Sequence, residues 1–106
     1  MVSKKIINII KIYIKELITK DLQIKKVYLY GSYAKGTASV DSDIDLAIIS
    51  PQFDSDSDKY APVIWLSDYR AEHKIEPITI GEERFKKDDV SPLLEIVRKE
   101  GIEITF

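Results

Sequence analysis

The run Leu29-Tyr30-Gly31-Ser32-Tyr33-Ala34-Lys35-Gly36, followed by Ser42-Asp43-Ile44-Asp45-Leu46-Ala47, decides the reading of this chain. A hydrophobic strand ends in a Gly-Ser turn, a short polar connection follows, and two carboxylates one residue apart open a second hydrophobic strand. Side chains at i and i+2 leave the same face of a strand. Asp43 and Asp45 therefore point together, while Ile44, Leu46 and Ile48 point the other way, toward a core. Two adjacent carboxylates repel each other unless a cation stands between them. Magnesium suits the pair, because it prefers oxygen ligands and completes its shell with water and phosphate oxygens. The turn supplies the anion side. A Gly-Ser bend between a strand and a short helix aims backbone N–H groups and the Ser32 hydroxyl outward. Taken singly, these features have plainer meanings: a D-x-D turn, two glycines in tight bends, a solvated Lys35. Their succession in one strand-turn-strand unit suits a nucleoside triphosphate with its magnesium ions.

Outward from this unit, Ile6, Ile7, Ile9, Ile10, Tyr13, Ile14, Leu17 and Ile18 recur at helical spacing behind Ser3, a possible N-cap. Lys25 to Tyr30 is predicted as the first strand, Ser32 to Lys35 as a short helix, Thr37 to Ser42 as a loop and Ile44 to Ile49 as the second strand. Gln52 to Lys59 reads as an acidic, Ser-rich loop. Ala61-Pro62 opens a helix that buries Ala61, Ile64, Trp65 and Tyr69. Lys74 to Ile80 is a third strand, and Pro77 inside it argues for a sheet edge or an irregular hydrogen-bond pattern. A charged connection, Gly81 to Asp89, leads to a helix capped by Ser91-Pro92, carrying Leu93, Leu94, Ile96 and Val97 and ended by Gly101. Alternation of Ile102, Ile104 and Phe106 with Glu103 and Thr105 suggests a terminal strand. The fold class expected is α/β (α+β), a mixed sheet flanked by helices, with residues 1–106 as one domain.

Composition narrows the chemistry. A formal charge of −2 from 16 basic and 18 acidic residues gives no field for general nucleic-acid binding. The chain has no cysteine, so disulfides and thiolate metal sites are excluded, and its single histidine, His73, argues against a histidine-based zinc site. No apolar run has the length of a membrane span, and no cleavable leader is evident, so a cytoplasmic location is expected. Asp54, Asp56 and Asp58 alternate like the start of a calcium loop, but Lys59 stands where glycine is required and Trp65 where glutamate is required. That stretch is expected to be a solvated mobile loop. His73 is read as structural or exposed, Trp65 and Tyr69 as core, and the pairs Lys25-Lys26 and Lys86-Lys87 as solubilising.

Gly31-Ser32-Tyr33-Ala34-Lys35-Gly36…Ser42-Asp43-Ile44-Asp45-Leu46 resembles the signature of the DNA polymerase β-like nucleotidyltransferase superfamily. More narrowly, the chain resembles the minimal nucleotidyltransferases, MNT proteins often encoded beside HEPN-domain partners as toxin–antitoxin pairs. The resemblance covers nearly the whole chain, with most of its specificity between Leu29 and Ile49. It implies a polymerase β-like nucleotidyltransferase fold and a third metal carboxylate on a later strand. Glu76, in Lys74-Ile75-Glu76-Pro77-Ile78, is the matching position, where many members carry Asp. Lys35 replaces a common arginine, which keeps the charge and loses a bidentate grip on phosphate. Asp43, Asp45 and Glu76 would hold two magnesium ions, and Gly31, Ser32, Lys35 and Gly36 would bind the nucleotide. The implied reaction moves a nucleotidyl group, AMP from ATP, onto a hydroxyl acceptor such as a HEPN-protein tyrosine. The alternative is a non-catalytic module that masks a HEPN partner through the first or last helix; transfer to a small molecule is a third option. The wide apolar stripe of the first helix leaves a homo-oligomer open.

Overall fold

A computed structural model describes residues 2–55 and 57–106. Helix α1 (Lys4–Thr19) starts where the Ser3 side chain accepts a hydrogen bond from the Ile6 N–H at 3.3 Å. It is followed by β1 (Lys26–Tyr30), the short α2 (Ser32–Lys35) and β2 (Ile44–Ser50). The crossover to β3 (Ile75–Gly81) runs through α3 (Gln52–Ser55), a 3-10 turn (Ser57–Tyr60), α4 (Ala61–Trp65) and α5 (Asp68–Glu72). Then come α6 (Glu82–Lys87), α7 (Pro92–Glu100) and the two-residue β4 (Ile102–Glu103). Among the described residues, no helix is long and apolar enough to cross a membrane.

The four strands form one mixed sheet in the order β3-β2-β1-β4. β1 pairs antiparallel with β2 and β4, and β2 pairs parallel with β3. The fold class is the one expected, α+β with helices on both faces. β3 is an edge strand, so Pro77 forfeits no hydrogen bond to a further neighbour.

Alternation sorts the strand side chains onto two cores. Val27, Leu29, Ile44, Leu46, Ile48 and Ile75 face α1, where they meet Ile10, Tyr13, Ile14 and Leu17. Ala47, Ile49 and Ile80 face the other way, against Leu94 and Val97 of α7. Each fully buried aliphatic side chain contributes about 1.5–3 kcal/mol, so these two layers dominate the stability. The Tyr13 hydroxyl, inside the first core, donates to the Ile64 carbonyl at 2.7 Å and ties α1 to α4.

Several sequence expectations are corrected. The stretch from Gln52 is not a solvated loop, because α3 and the 3-10 turn occupy it and Phe53 is buried. The Gln52 side chain accepts from the Gln23 N–H at 2.7 Å and donates to the Asp21 carbonyl at 3.3 Å. Both Asp54 carboxylate oxygens accept from the first turn of α6, from the Glu83 N–H at 3.0 Å and the Arg84 N–H at 3.3 Å. Asp54 is thus a helix cap supplied from a distant segment; Asp56 lies outside the described residues. The helix opened by Ala61-Pro62 stops at Trp65, and Ser67 caps a separate helix by accepting from the Arg70 N–H at 3.1 Å. Ala61 and Trp65 are therefore exposed, and Trp65 stacks under the Arg70 guanidinium, 4.8 Å from its ring centre, instead of packing in the core. Along α7 only Leu94 and Val97 are buried, while Leu93 and Ile96 are 41% exposed. Of the terminal alternation, Ile104 is buried and Ile102 and Phe106 are exposed.

Candidate functional site

The sheet register assembles the site. Asp45, on β2, pairs with Tyr30 on one side and Glu76 on the other. Residues directly paired across strands share a face, so Tyr30, Asp45 and Glu76 form one row across three strands. The rows behind it, Tyr28–Ala47–Ile78 and Lys26–Ile49–Ile80, belong to the α7 side of the sheet. Apolar packing therefore gives way to carboxylates at one end of this face. Asp43 precedes β2 by one residue and is exposed there. The Ile44 N–H donates to the Lys74 carbonyl at 2.8 Å, which locks the start of β2 against the start of β3. Ser42 organises the approach to Asp43, with its hydroxyl accepting from the Ser39 N–H at 2.9 Å.

The Gly31-Ser32 turn touches this row. Gly31 has φ +78 and ψ −152, a conformation closed to side-chain-bearing residues. A Cβ placed on Gly31 would lie 2.2 Å from Asp45 Oδ2. Glycine is thus required twice, by the backbone and by the carboxylate lying over it. The Gly31 carbonyl accepts from the Ala34 and Lys35 N–H groups, both at 3.1 Å. The earlier N–H groups, on Ser32 and Tyr33, and the Ser32 hydroxyl have no partner among the described residues. Gly36, at φ +76, ends α2 with open space around its Cα. Lys35 reaches Glu100 at the end of α7, with Nζ 3.4 Å from the carboxylate, an exposed pair worth under about 1 kcal/mol. The Tyr33 ring packs on the α1 side, on the opposite face from the carboxylates.

Electrostatics mark the same cluster. Partial burial, then Asp43, then Glu76 push the Asp45 carboxyl above its ordinary value. Burial, Asp45 and Glu76 likewise push the Tyr30 hydroxyl up. Among the described residues, no three acidic or histidine side chains already converge as a metal cage. The donor set nevertheless fits a hard divalent cation: it consists of carboxylate oxygens whose mutual repulsion a cation relieves.

The family described as nucleotidyltransferase domain matches residues 10–104. The chain belongs to that family. Among solved structures it resembles a candidate nucleotidyltransferase from Sulfolobus solfataricus, with TM-score 0.60 and 17% identity over 93% of this chain and 78% of that one. It also resembles a toxin–antitoxin structure with AMP-PNP, with TM-score 0.56 and 22% identity over 88% of this chain and 70% of that one. A third is the toxin–antitoxin MntA–HpeT, carrying Asp-to-Glu changes at two positions two residues apart; its TM-score is 0.51, with 18% identity over 95% and 70% of the two chains. At these identities the likeness shows the shared fold. No significant match emerged among curated protein sequences.

Within this nucleotidyltransferase domain the remaining singled-out residues sit away from the carboxylates. His73 ends α5 with its ring 4.3 Å from that of Tyr69, a structural position. Lys25, Lys26 and Lys86 surround a cavity of about 400 Å³ over Ile49 and Phe85, at the opposite end of the sheet. Sequence reasoning missed Tyr30. Its strand position was legible, but its place beside Asp45 depends on a register that only the folded sheet reveals.

Proposed function

We propose that this domain transfers a nucleotidyl group, AMP from ATP, to a hydroxyl acceptor with release of pyrophosphate. The observation that carries this reading is the row Tyr30–Asp45–Glu76 lying directly against the Gly31 turn. Asp43, Asp45 and Glu76 are the residues that would hold magnesium ions. When bound, those ions neutralise charge on the triphosphate and lower the pKa of an oxygen they hold. The free N–H groups of Ser32 and Tyr33, with the Ser32 hydroxyl, would receive the terminal phosphates. Lys35 must leave Glu100 to join them. Glu76, at the far end of the row, would take the proton of the incoming hydroxyl. The new bond forms from that oxygen to the α-phosphorus, and the bond to pyrophosphate breaks on the opposite side.

The acceptor we favour is a tyrosine hydroxyl on a HEPN-type partner in a toxin–antitoxin pair. Two observations support it: the fold is shared with two toxin–antitoxin structures, and in one of them the altered acidic positions have the spacing of Asp43 and Asp45. The exposed Leu93 and Ile96 of α7 offer a contact surface for such a partner. The test is co-expression with the neighbouring gene product, followed by intact mass measurement. A partner gaining one adenylyl group with wild type, and none with Asp43→Asn/Asp45→Asn, supports catalysis. Equal modification by both proteins overturns the site. Neutralisation of the partner without any added mass favours masking instead.

A further inference from the structure

We propose that the Tyr30 hydroxyl is a substrate contact, donating a hydrogen bond to the bound triphosphate on the leaving-group side of the carboxylates. The inference rests on the nucleotidyl-transfer reading above. Its basis is position. Asp45 stands in the middle of the row, with Glu76 on one side and Tyr30 on the other. On the reading above, Glu76 would take the acceptor's proton, which puts Tyr30, on the other side of Asp45, toward the leaving pyrophosphate. Tyr30 also immediately precedes Gly31, so the end of β1 and the phosphate turn carry it together.

The hydroxyl has no other task. The Tyr13 hydroxyl donates to the Ile64 carbonyl, and that of Tyr60 accepts from Gln52. The Tyr30 hydroxyl has no hydrogen-bond partner among the described residues. Its ring packs against the α7-side core, a role phenylalanine would fill equally well. The neighbouring carboxylates accept but do not donate, and a polyphosphate needs donors. Lys35, the cation of this turn, is engaged by Glu100. Tyr30 is therefore a donor already in place beside the carboxylates. Negative charge grows on the leaving pyrophosphate as the α-phosphorus bond breaks. A fixed O–H aimed at that charge stabilises the transition state without reorganising.

The test removes one oxygen. Binding of an unhydrolysable ATP analogue with magnesium is measured by calorimetry for wild type, Tyr30→Phe and Asp45→Asn, alongside thermal unfolding. We expect Tyr30→Phe to unfold at the wild-type temperature and to bind about 10-fold or more weakly, the size of a hydrogen bond to a charged group. Transfer to the partner falls by at least as much. Wild-type affinity and rate in a folded Tyr30→Phe overturn the inference while leaving the parent reading standing. Wild-type affinity in Asp45→Asn, or no binding by wild type, overturns both. An adenylyl group found on Tyr30 itself also overturns the inference, because the hydroxyl would then be the acceptor and not the donor.

Discussion

Replacing Gly31 with alanine tests the link between the turn and the carboxylates most directly. Two penalties combine. At φ +78 and ψ −152 the backbone is in a region essentially reserved for glycine, which costs a side-chain-bearing residue on the order of 1–3 kcal/mol. The new Cβ also starts 2.2 Å from Asp45 Oδ2, so the carboxylate must retreat beyond 3.0 Å. A stability loss of about 2 kcal/mol lowers Tm by about 8–16 °C in a domain of this size. A displacement near 1 Å in a reacting constellation costs about 100-fold in rate. Gly31→Ala should therefore lose both stability and nucleotidyl transfer. Gly36→Ala is the matched control. It is also left-handed, at φ +76, but a Cβ there meets open space, so it should lose about 1–2 kcal/mol from the backbone alone, with no displacement of Asp45. The clash is isolated by a double-mutant cycle with Asp45→Ala, measured by urea unfolding. Once the carboxylate is gone, the cost of Gly31→Ala should shrink to the backbone part alone. Additive effects in that cycle, or full activity in Gly31→Ala, would refute the reasoning.

The other predictions concern charge and capping. Asp45 holds its proton more readily folded than unfolded, so stability falls as pH rises from below its ordinary value of 3.8, and the penalty is complete at neutral pH. Asp45→Asn should accordingly raise Tm at pH 7, with the difference vanishing near pH 3. Magnesium at 100 times its dissociation constant should stabilise wild type by about 2.7 kcal/mol, and Asp45→Asn much less, as thermal scans with and without the ion would show. Asp54→Ala removes both caps from α6 and should cost about 1–2 kcal/mol in urea unfolding while transfer activity persists. Lys35→Ala breaks only an exposed ion pair, so unfolding should move by less than about 0.5 kcal/mol. Weaker triphosphate binding by that variant in calorimetry would then report a direct contact.

The parts legible in the sequence were those with a strong local period. Helix α1, strands β1 and β2 and the cap at Ser91 follow from apolar spacing and a single capping residue. The break between Trp65 and Asp68 was missed, because Ile64, Trp65 and Tyr69 fit one helical face and outweighed the capping signal of Ser67. The helices after Pro51 were missed for a different reason. Gln52 to Ser55 is too polar and too short to declare a helix, and it is held by partners far along the chain: Gln23, Asp21 and the N-terminus of α6. In the candidate site, strand geometry placed Asp45 on the face of β2 opposite Ile44 and Leu46, whereas Asp43 stands one residue before the strand. The alignment of Glu76 with Asp45 came from resemblance, since a parallel pairing between segments some thirty residues apart leaves no local trace. The engagement of Lys35 by Glu100 and the placement of Tyr30 were beyond reach for the same reason.

The mixed sheet splits the acidic row into two halves with different folding histories. Tyr30, Gly31, Asp43 and Asp45 lie on one antiparallel pair with a short connection, which closes at low entropic cost. Glu76 arrives only after the chain has passed through α3, α4 and α5 and docked β3 in parallel. The last carboxylate is thus delivered by a non-local contact, which forms more slowly than the hairpin. Substitutions that loosen this long passage, at Gln52, Ser67 or Arg70, would leave a well-formed hairpin with an incomplete cation cradle. Chemistry would then fail well before the protein unfolds.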